Sequence, residues 1–372
     1  MGRQELIARS VTVAILWGFQ KRANDVLSNI LFLISTFFSL YQLPFDKIRP
    51  ADFSNLRRNH WNVSDDAYYD SFRPTGGKNA EEALKAIGDM GYSGSTFYST
   101  GDQKYLVKSV PRHSEHSFFR DDLLTPYVQY MATHPKSLLV RITDFLGCRH
   151  AALGRILRLA PSHHIVMENI MYGQEEAKKK GGMDWEQWDL KPTSYFFPER
   201  DIADGRLTSE ATKSQLADEF HDKIILSRQN ADEFFAALEA DTELLAAHNA
   251  VDYSLFLVRI KSQNEDPGSV TDPGQDTSAD DVVPTDPPAA PPAPPSWRTG
   301  IPSADGKHIF RAAVLDFFWA KHKVQPKLMT FLINTYNLLI HHHGPMSITT
   351  TPEEYRQRFL RMCHDYVEVR DD

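Results

Sequence analysis

The chain has 372 residues, 41% apolar and 24% charged, enough for two or three domains or for one two-lobed unit with a linker. Those are ordinary globular proportions and exclude collagen-like, coiled-coil and wholly disordered classes. A net charge of −8 argues against a nucleic-acid partner, and two distant cysteines, Cys148 and Cys363, exclude a disulfide framework and fit a reducing, cytoplasmic setting.

Residues 1–43 stand apart as an apolar N-terminal segment. From 26 to 43 there are eighteen residues without a charge, the lower edge of a membrane span. Ser28, Ser35, Ser39 and Gln42 recur near helical spacing and draw a narrow polar stripe through it. A buried helix, or one lying in a membrane interface, suits that stripe better than a span. Lys21 and Arg22 interrupt the apolar run ahead of it, which argues against a secretory signal.

Farther along, the hydrophobic spacing predicts a helix over 81–90, strands over 95–100 and 105–110, and a helix over 118–132. A strand follows over 165–171, then a helix over 231–247 and a strand over 253–260. A strand over 309–317 and a helix over 353–367 close the chain. Strands and helices do not alternate strictly, so α+β is expected rather than a doubly wound sheet. Residues 262–300 break the pattern. Nine of the chain's 22 prolines fall there, and seven acids face one base, Arg298. Such a stretch buries too little apolar surface to offset its ordering entropy and reads as a disordered insertion.

Five short pieces carry polar groups suited to chemistry. Gly91, Ser93, Gly94 and Ser95 form a small-residue turn that lets backbone N–H groups approach phosphates. Lys108 follows inside the apolar strand 105–110. By itself it reads first as a lysine snorkelling from an edge strand; behind a glycine turn it also fits a phosphate contact. The run from His164 to Met171 is a strand that could read an adenine edge. In Trp188-Asp-Leu-Lys-Pro-Thr-Ser194, Asp189 and Lys191 project to the same side of an extended chain. Asp252, in Val251-Asp-Tyr-Ser-Leu255, and Asp316, in Val314-Leu-Asp-Phe-Phe318, sit at opposite ends of apolar strands. Each acid taken singly is ordinary.

In this order the pieces resemble the phosphatidylinositol phosphate kinase family. Phe53-Ser-Asn-Leu-Arg57 and Ser64-Asp-Asp-Ala-Tyr-Tyr69 are similar to its "FRxLR…DDYxxS" stretch, Lys136-Ser-Leu-Leu-Val140 to its "NSLL" and Tyr355-Arg-Gln-Arg-Phe359 to its "YxxRF". Residues 6–15 resemble the family's opening strand. The resemblance implies a two-lobed α+β lipid-kinase-like fold with antiparallel sheets and flanking helices. The N-terminal lobe would span 44–163, the C-terminal lobe 164–261 and 301–372.

The resemblance also implies roles. Gly91, Ser93, Gly94, Ser95 and Lys108 would meet the phosphates of ATP, with Met167 and Asn169 beside the adenine. Asp189 and Lys191 would lie near the transferred group. Asp252 would orient or deprotonate the inositol hydroxyl, and Asp316 would hold Mg2+. Lys321, Lys323 and Lys327 would face an anionic membrane, placing a cytoplasmic enzyme peripherally on its phosphoinositide substrate; homodimerisation stays open. Pro192 stands where the family has a glycine, the specificity loop keeps Lys327 alone, and the glutamate expected to pair with Lys108 has only Glu115 or Ser117 as candidates. These departures leave two alternatives, a catalytically weak phosphoinositide-binding scaffold and a kinase for a soluble inositol phosphate.

Overall fold

The computed structural model describes residues 3–20, 45–73, 83–89, 95–148, 162–179, 184–192, 220–261, 296–320 and 351–370. The uncharged stretch 26–43, the glycine turn at Gly91, Ser93 and Gly94, and Lys321, Lys323 and Lys327 lie outside these residues. No helix among the described residues is long and apolar enough to cross a membrane.

Two antiparallel sheets organise the chain, as an α+β reading requires. The first joins β1 (Phe45–Lys47), β2 (Leu84–Asp89), β3 (Thr96–Thr100), β4 (Tyr105–Ser109), β5 (Ile142–Cys148) and β6 (His163–Glu168) in the order β1-β5-β6-β4-β3-β2. The second joins β7 (Trp185–Leu190), β10 (Ser254–Lys261), β11 (Ile301–Pro302) and β12 (His308–Leu315) in the order β11-β12-β10-β7. Two short pairs complete the set among the described residues. β9 (Ala250–Val251) meets β13 (Trp319–Ala320), and β8 (Ile224–Ser227) lies parallel to β14 (Val367–Arg370).

The helices close the core from named faces. The helix Arg228–Ala247 starts at Ser227, whose hydroxyl accepts from the Asn230 N–H at 3.4 Å. The helix Pro352–Tyr366 begins with a reciprocal cap in which Thr351 accepts from the Glu354 N–H and Glu354 accepts from the Thr351 N–H. Its Tyr355 and Phe359 pack edge-on against Tyr253, and the Tyr355 hydroxyl donates to the Tyr253 carbonyl. The helical run from His113 to Thr133 widens by one residue per turn over Phe119–Leu123 and buries Phe118, Phe119, Leu123 and Leu124. Arg57, from the "FRxLR"-like stretch, is buried against Asp144 at 3.5 Å and Asp65 at 3.2 Å. Lys47 and Tyr68 reach the same Asp144 carboxylate, and the Lys47 and Arg57 charges, with the Tyr68 hydrogen bond, hold it below the usual carboxylate range against the cost of burial.

Three expectations are corrected. Residues 6–15 are not a strand but part of a helix, Arg3–Gln20, with Ile7, Ala8, Val11, Ala14 and Ile15 buried at helical spacing against β1 and β2. The described residues of the 81–90 segment, 83–89, are not a helix. They carry β2, an edge strand whose register shifts between Ala86 and Gly88, leaving Ile87 bulged and 46% exposed. The disordered insertion does not run to 300, because Trp297, Arg298 and Thr299 are buried beside β12 and the Trp297 carbonyl accepts from the Ala312 N–H at 2.9 Å.

Candidate active site

Lys108 is not on an edge. Its strand β4 pairs with β3 on one side and β6 on the other, so Lys108 faces Phe97 and Ile165 in register. Only 9% of its side chain is exposed, and its ammonium lies 5.4 Å from the Phe97 ring centre. A buried cation needs a counter-charge. Asp316, just beyond β12 in the other sheet, supplies it through a direct ion pair.

The second sheet delivers the acids. Asp189 lies near the end of β7 opposite Phe256, Asp252 lies two residues before β10, and Ser254 at the start of β10 pairs with Leu315 at the end of β12. Three antiparallel neighbours therefore gather their site residues at one end of the sheet. The short pairing of Val251 with Trp319 draws the two aspartate turns together. Asp252 and Asp316 both adopt left-handed backbone angles, φ 63° and φ 62°. Aspartate tolerates that region better than most residues, and such conformations concentrate where a side chain must be aimed.

Lys191 extends from the end of β7 and donates to Asp252 twice, to the carbonyl at 2.9 Å and to Oδ1 at 3.2 Å. Asp189 Oδ1 is shut off from solvent. Burial pushes the Asp189 carboxyl up; Lys191 opposes that, and the negative charge of Asp316 adds to it. Asp252 and Asp316 line an open cleft together with Ser95, Lys108 and Glu115, with Val110, Phe318 and Trp319 as apolar wall. Glu115 does line the cleft beside Lys108, yet its direct partner is Arg112 at 3.0 Å. Burial pushes its carboxyl up, with Arg112 and Lys108 opposing. Ser117 is turned to the Ser114 carbonyl and is no counterpart to Lys108.

The expected adenine residues divide. Met167 pairs with Leu106 in register and so shares the sheet face that carries Lys108. Asn169 fastens the turn after β6, donating to the Gln103 carbonyl at 2.8 Å and accepting from the Met171 N–H at 3.0 Å. Neither lines the cleft. Phe318 and Trp319 do, and the residue-level reading missed them; the aromatic run directly after Asp316 was their only signal.

Comparison with known proteins fits this arrangement. The family pattern for Phosphatidylinositol-4-phosphate 5-Kinase matches residues 78–366. A "Probable phosphatidylinositol phosphate kinase" of Dictyostelium discoideum is 29% identical over 48% of the chain, which spans 23% of that protein. A phosphatidylinositol 4-phosphate 5-kinase of Plasmodium falciparum is 26% identical over 58% of the chain, which spans 12% of it. The type-2 alpha phosphatidylinositol 5-phosphate 4-kinase of Gallus gallus is 24% identical over 85% of the chain and is covered to 76% of its length. With the match running from before β2 to the end of the last helix, the chain belongs to the phosphatidylinositol-4-phosphate 5-kinase family.

Proposed function

We propose that the chain transfers the γ-phosphoryl group of ATP to a membrane phosphoinositide, with phosphatidylinositol 4-phosphate as acceptor and the 4,5-bisphosphate as product. The observation that carries this is a cleft at which Lys108 of one sheet meets Asp252 and Asp316 of the other, with Lys191 bonded to Asp252 and Asp189 behind them, within electrostatic reach of Lys191 and Asp316. Phosphoryl transfer asks for positioning and charge neutralisation more than for covalent chemistry. Lys108 is the cation for the ATP phosphates, and Ser95 lines the same cleft. Asp252 aligns and deprotonates the attacking inositol hydroxyl, with Lys191 holding its carboxylate in place. The family description and the Plasmodium relative's name support the 5-position over the 4-position of the Gallus relative.

The residues fit Mg2+. Among the described residues no three His, Cys, Asp or Glu side chains form a cage. Mg2+ needs no cage; it takes one or two carboxylates and completes its shell with phosphate oxygens and water. Asp316 and Asp189 supply two carboxylates whose mutual repulsion a cation would relieve. When bound there it would neutralise the charge on the transferring group. Lys321, Lys323 and Lys327 are proposed to meet the anionic leaflet, each worth about 1 kcal/mol near the surface. A radiolabelled ATP assay over a panel of phosphoinositides in vesicles tests the acceptor. Label in the bisphosphate from phosphatidylinositol 4-phosphate supports the reading; label only in soluble inositol phosphates opposes it.

A further inference from the structure

Outside the cleft, a buried arginine with several side-chain bonds lies at the edge of the region that composition assigns to disorder. Arg298 is 5% exposed and Glu168 is 2% exposed. The Arg298 guanidinium donates to both Glu168 oxygens at 3.1 and 3.2 Å, to the Ser137 carbonyl at 2.6 Å and to the Leu139 carbonyl at 2.7 Å. The groups it holds belong to two parts of the site's frame, the end of β6 and the segment 137–139. Glu168 ends β6, the strand beside Lys108, and is fixed there because its carboxylate accepts from the Arg141 N–H at 2.9 Å. The segment 138–140 is bonded to β12 at one residue, since Val314 donates to the Leu138 carbonyl at 2.7 Å and Val140 donates to the Val314 carbonyl at 3.1 Å. Val314 lies two residues before Asp316. Arg298 itself lies next to Trp297, whose carbonyl accepts from Ala312 of β12.

We propose that Arg298, through Glu168, is a positioning residue that sets the separation between the Lys108 strand and Asp316. Its fork closes a circuit from β6 through residues 137–139 to β12, and so links the two sheets that supply the two halves of the Lys108–Asp316 pair. A planar guanidinium can satisfy two carboxylate oxygens and two carbonyls at fixed angles, which an ammonium cannot. Loss of that fork leaves the charges in place but lets the sheets shift, and phosphoryl transfer is sensitive to displacements of that kind. The proposal rests on the reading of the cleft as a site for ATP and a metal ion.

Arg298→Lys is the test, because Arg298→Ala would strand the buried Glu168 charge and endanger folding. Val63→Ala, a buried truncation whose side chain takes no part in this circuit, serves as the control for general destabilisation. Thermal shifts of the full chain are read with ATP alone and with ATP plus Mg2+, and kcat and KM for ATP are read on phosphatidylinositol 4-phosphate vesicles. The expected result is a cooperative transition for Arg298→Lys, an ATP shift like wild type, loss of most of the Mg2+-dependent increment, and a kcat lower by tenfold or more with KM changed less than threefold. Glu168→Gln should move the same readouts in the same direction. If Arg298→Lys keeps the Mg2+ increment, or loses no more of it than Val63→Ala does, the proposal is overturned. Absence of an Mg2+ increment in the wild type overturns it as well. Wild-type thermal shifts as described without transfer to any lipid would instead sink the lipid-kinase reading, while the Mg2+ increment of the variants still decides the role of Arg298.

Discussion

Lys108 and Asp316, 208 positions apart and carried by different sheets, form a direct ion pair at the mouth of the cleft. The lysine side chain is nearly enclosed while the aspartate is 33% exposed, so the pair presents its carboxylate to incoming ligand. Lys108→Met keeps the apolar stem and removes the charge. It should lower turnover by ~10²–10³, the usual cost of one preorganised electrostatic contact. The thermal midpoint should move by no more than about 4 °C, because the carboxylate left behind, Asp316, is one-third exposed and is solvated once the ammonium is gone. Steady-state kinetics and a melting curve on the same preparation check both parts.

Asp252 offers a test that separates backbone from chemistry. Its φ of 63° suits Asn as well as Asp. Asp252→Asn should therefore fold normally and lose activity. Asp252→Val should lose activity and also about 1–2 kcal/mol of stability, since a β-branched residue is strained there. Urea denaturation distinguishes the two variants; equal midpoints would mean that the local backbone relaxes.

Three histidines make the fold acid-sensitive. His116 stacks on His163 at 3.7 Å, and His164 lies edge-on to Phe45 with neither ring nitrogen bonded among the described residues. Burial, helped by neighbouring histidine charge, pushes His116 down to about 4 and His163 and His164 down to about 3. The unfolded chain takes up these protons near pH 6.5 and the folded chain does not. Their contribution to stability is therefore intact above pH 6.5 and falls steadily as the pH drops toward 4. His164→Phe should flatten that fall by up to about 1.4 kcal/mol per pH unit, measured as urea midpoints between pH 7 and pH 5. An unchanged slope would mean that His164 is charged or exposed in the folded state.

The end of the insertion is part of the core. Trp297 is 8% exposed and its ring lies 4.4 Å from that of Phe234. Trp297→Ala should cost about 3–5 kcal/mol, a drop in melting temperature on the order of 10 °C. Replacing residues 263–294 by a short Gly/Ser bridge should leave the transition in place, since loop length adds little closure cost. Collapse of that shortened chain would show that the acidic, proline-rich stretch packs.

What could be read from the sequence follows the range of the forces involved. β3, β4, β10 and β12 were legible because apolar alternation and flanking turn residues are local signals. The 81–90 segment misled because Leu84 and Ile87 fit helical spacing, and only pairing with β3 and the bulge at Ile87 make it a strand. Residues 6–15 were matched to a strand by resemblance alone, and burial of Ile7, Val11 and Ile15 on one face selects a helix. The family resemblance orders the site acids as a set, and the second sheet brings Asp189, Asp252 and Asp316 to one of its ends. Their partners were not legible, because the pairing of Lys108 with Asp316 rather than Glu115, and of Arg298 with Glu168, depends on contacts across the two sheets that no local pattern encodes.

The most direct test of the account is phosphoryl transfer itself. Purified full-length chain, labelled ATP, Mg2+ and vesicles of phosphatidylinositol 4-phosphate are compared for wild type and Asp252→Asn, with an ATP thermal shift recorded for each. The account predicts labelled bisphosphate from the wild type, a loss of ~10²–10⁴ in rate for Asp252→Asn, and the same ATP shift for both. Equal transfer by the two proteins, or ATP binding with no transfer by the wild type to any phosphoinositide, would contradict it.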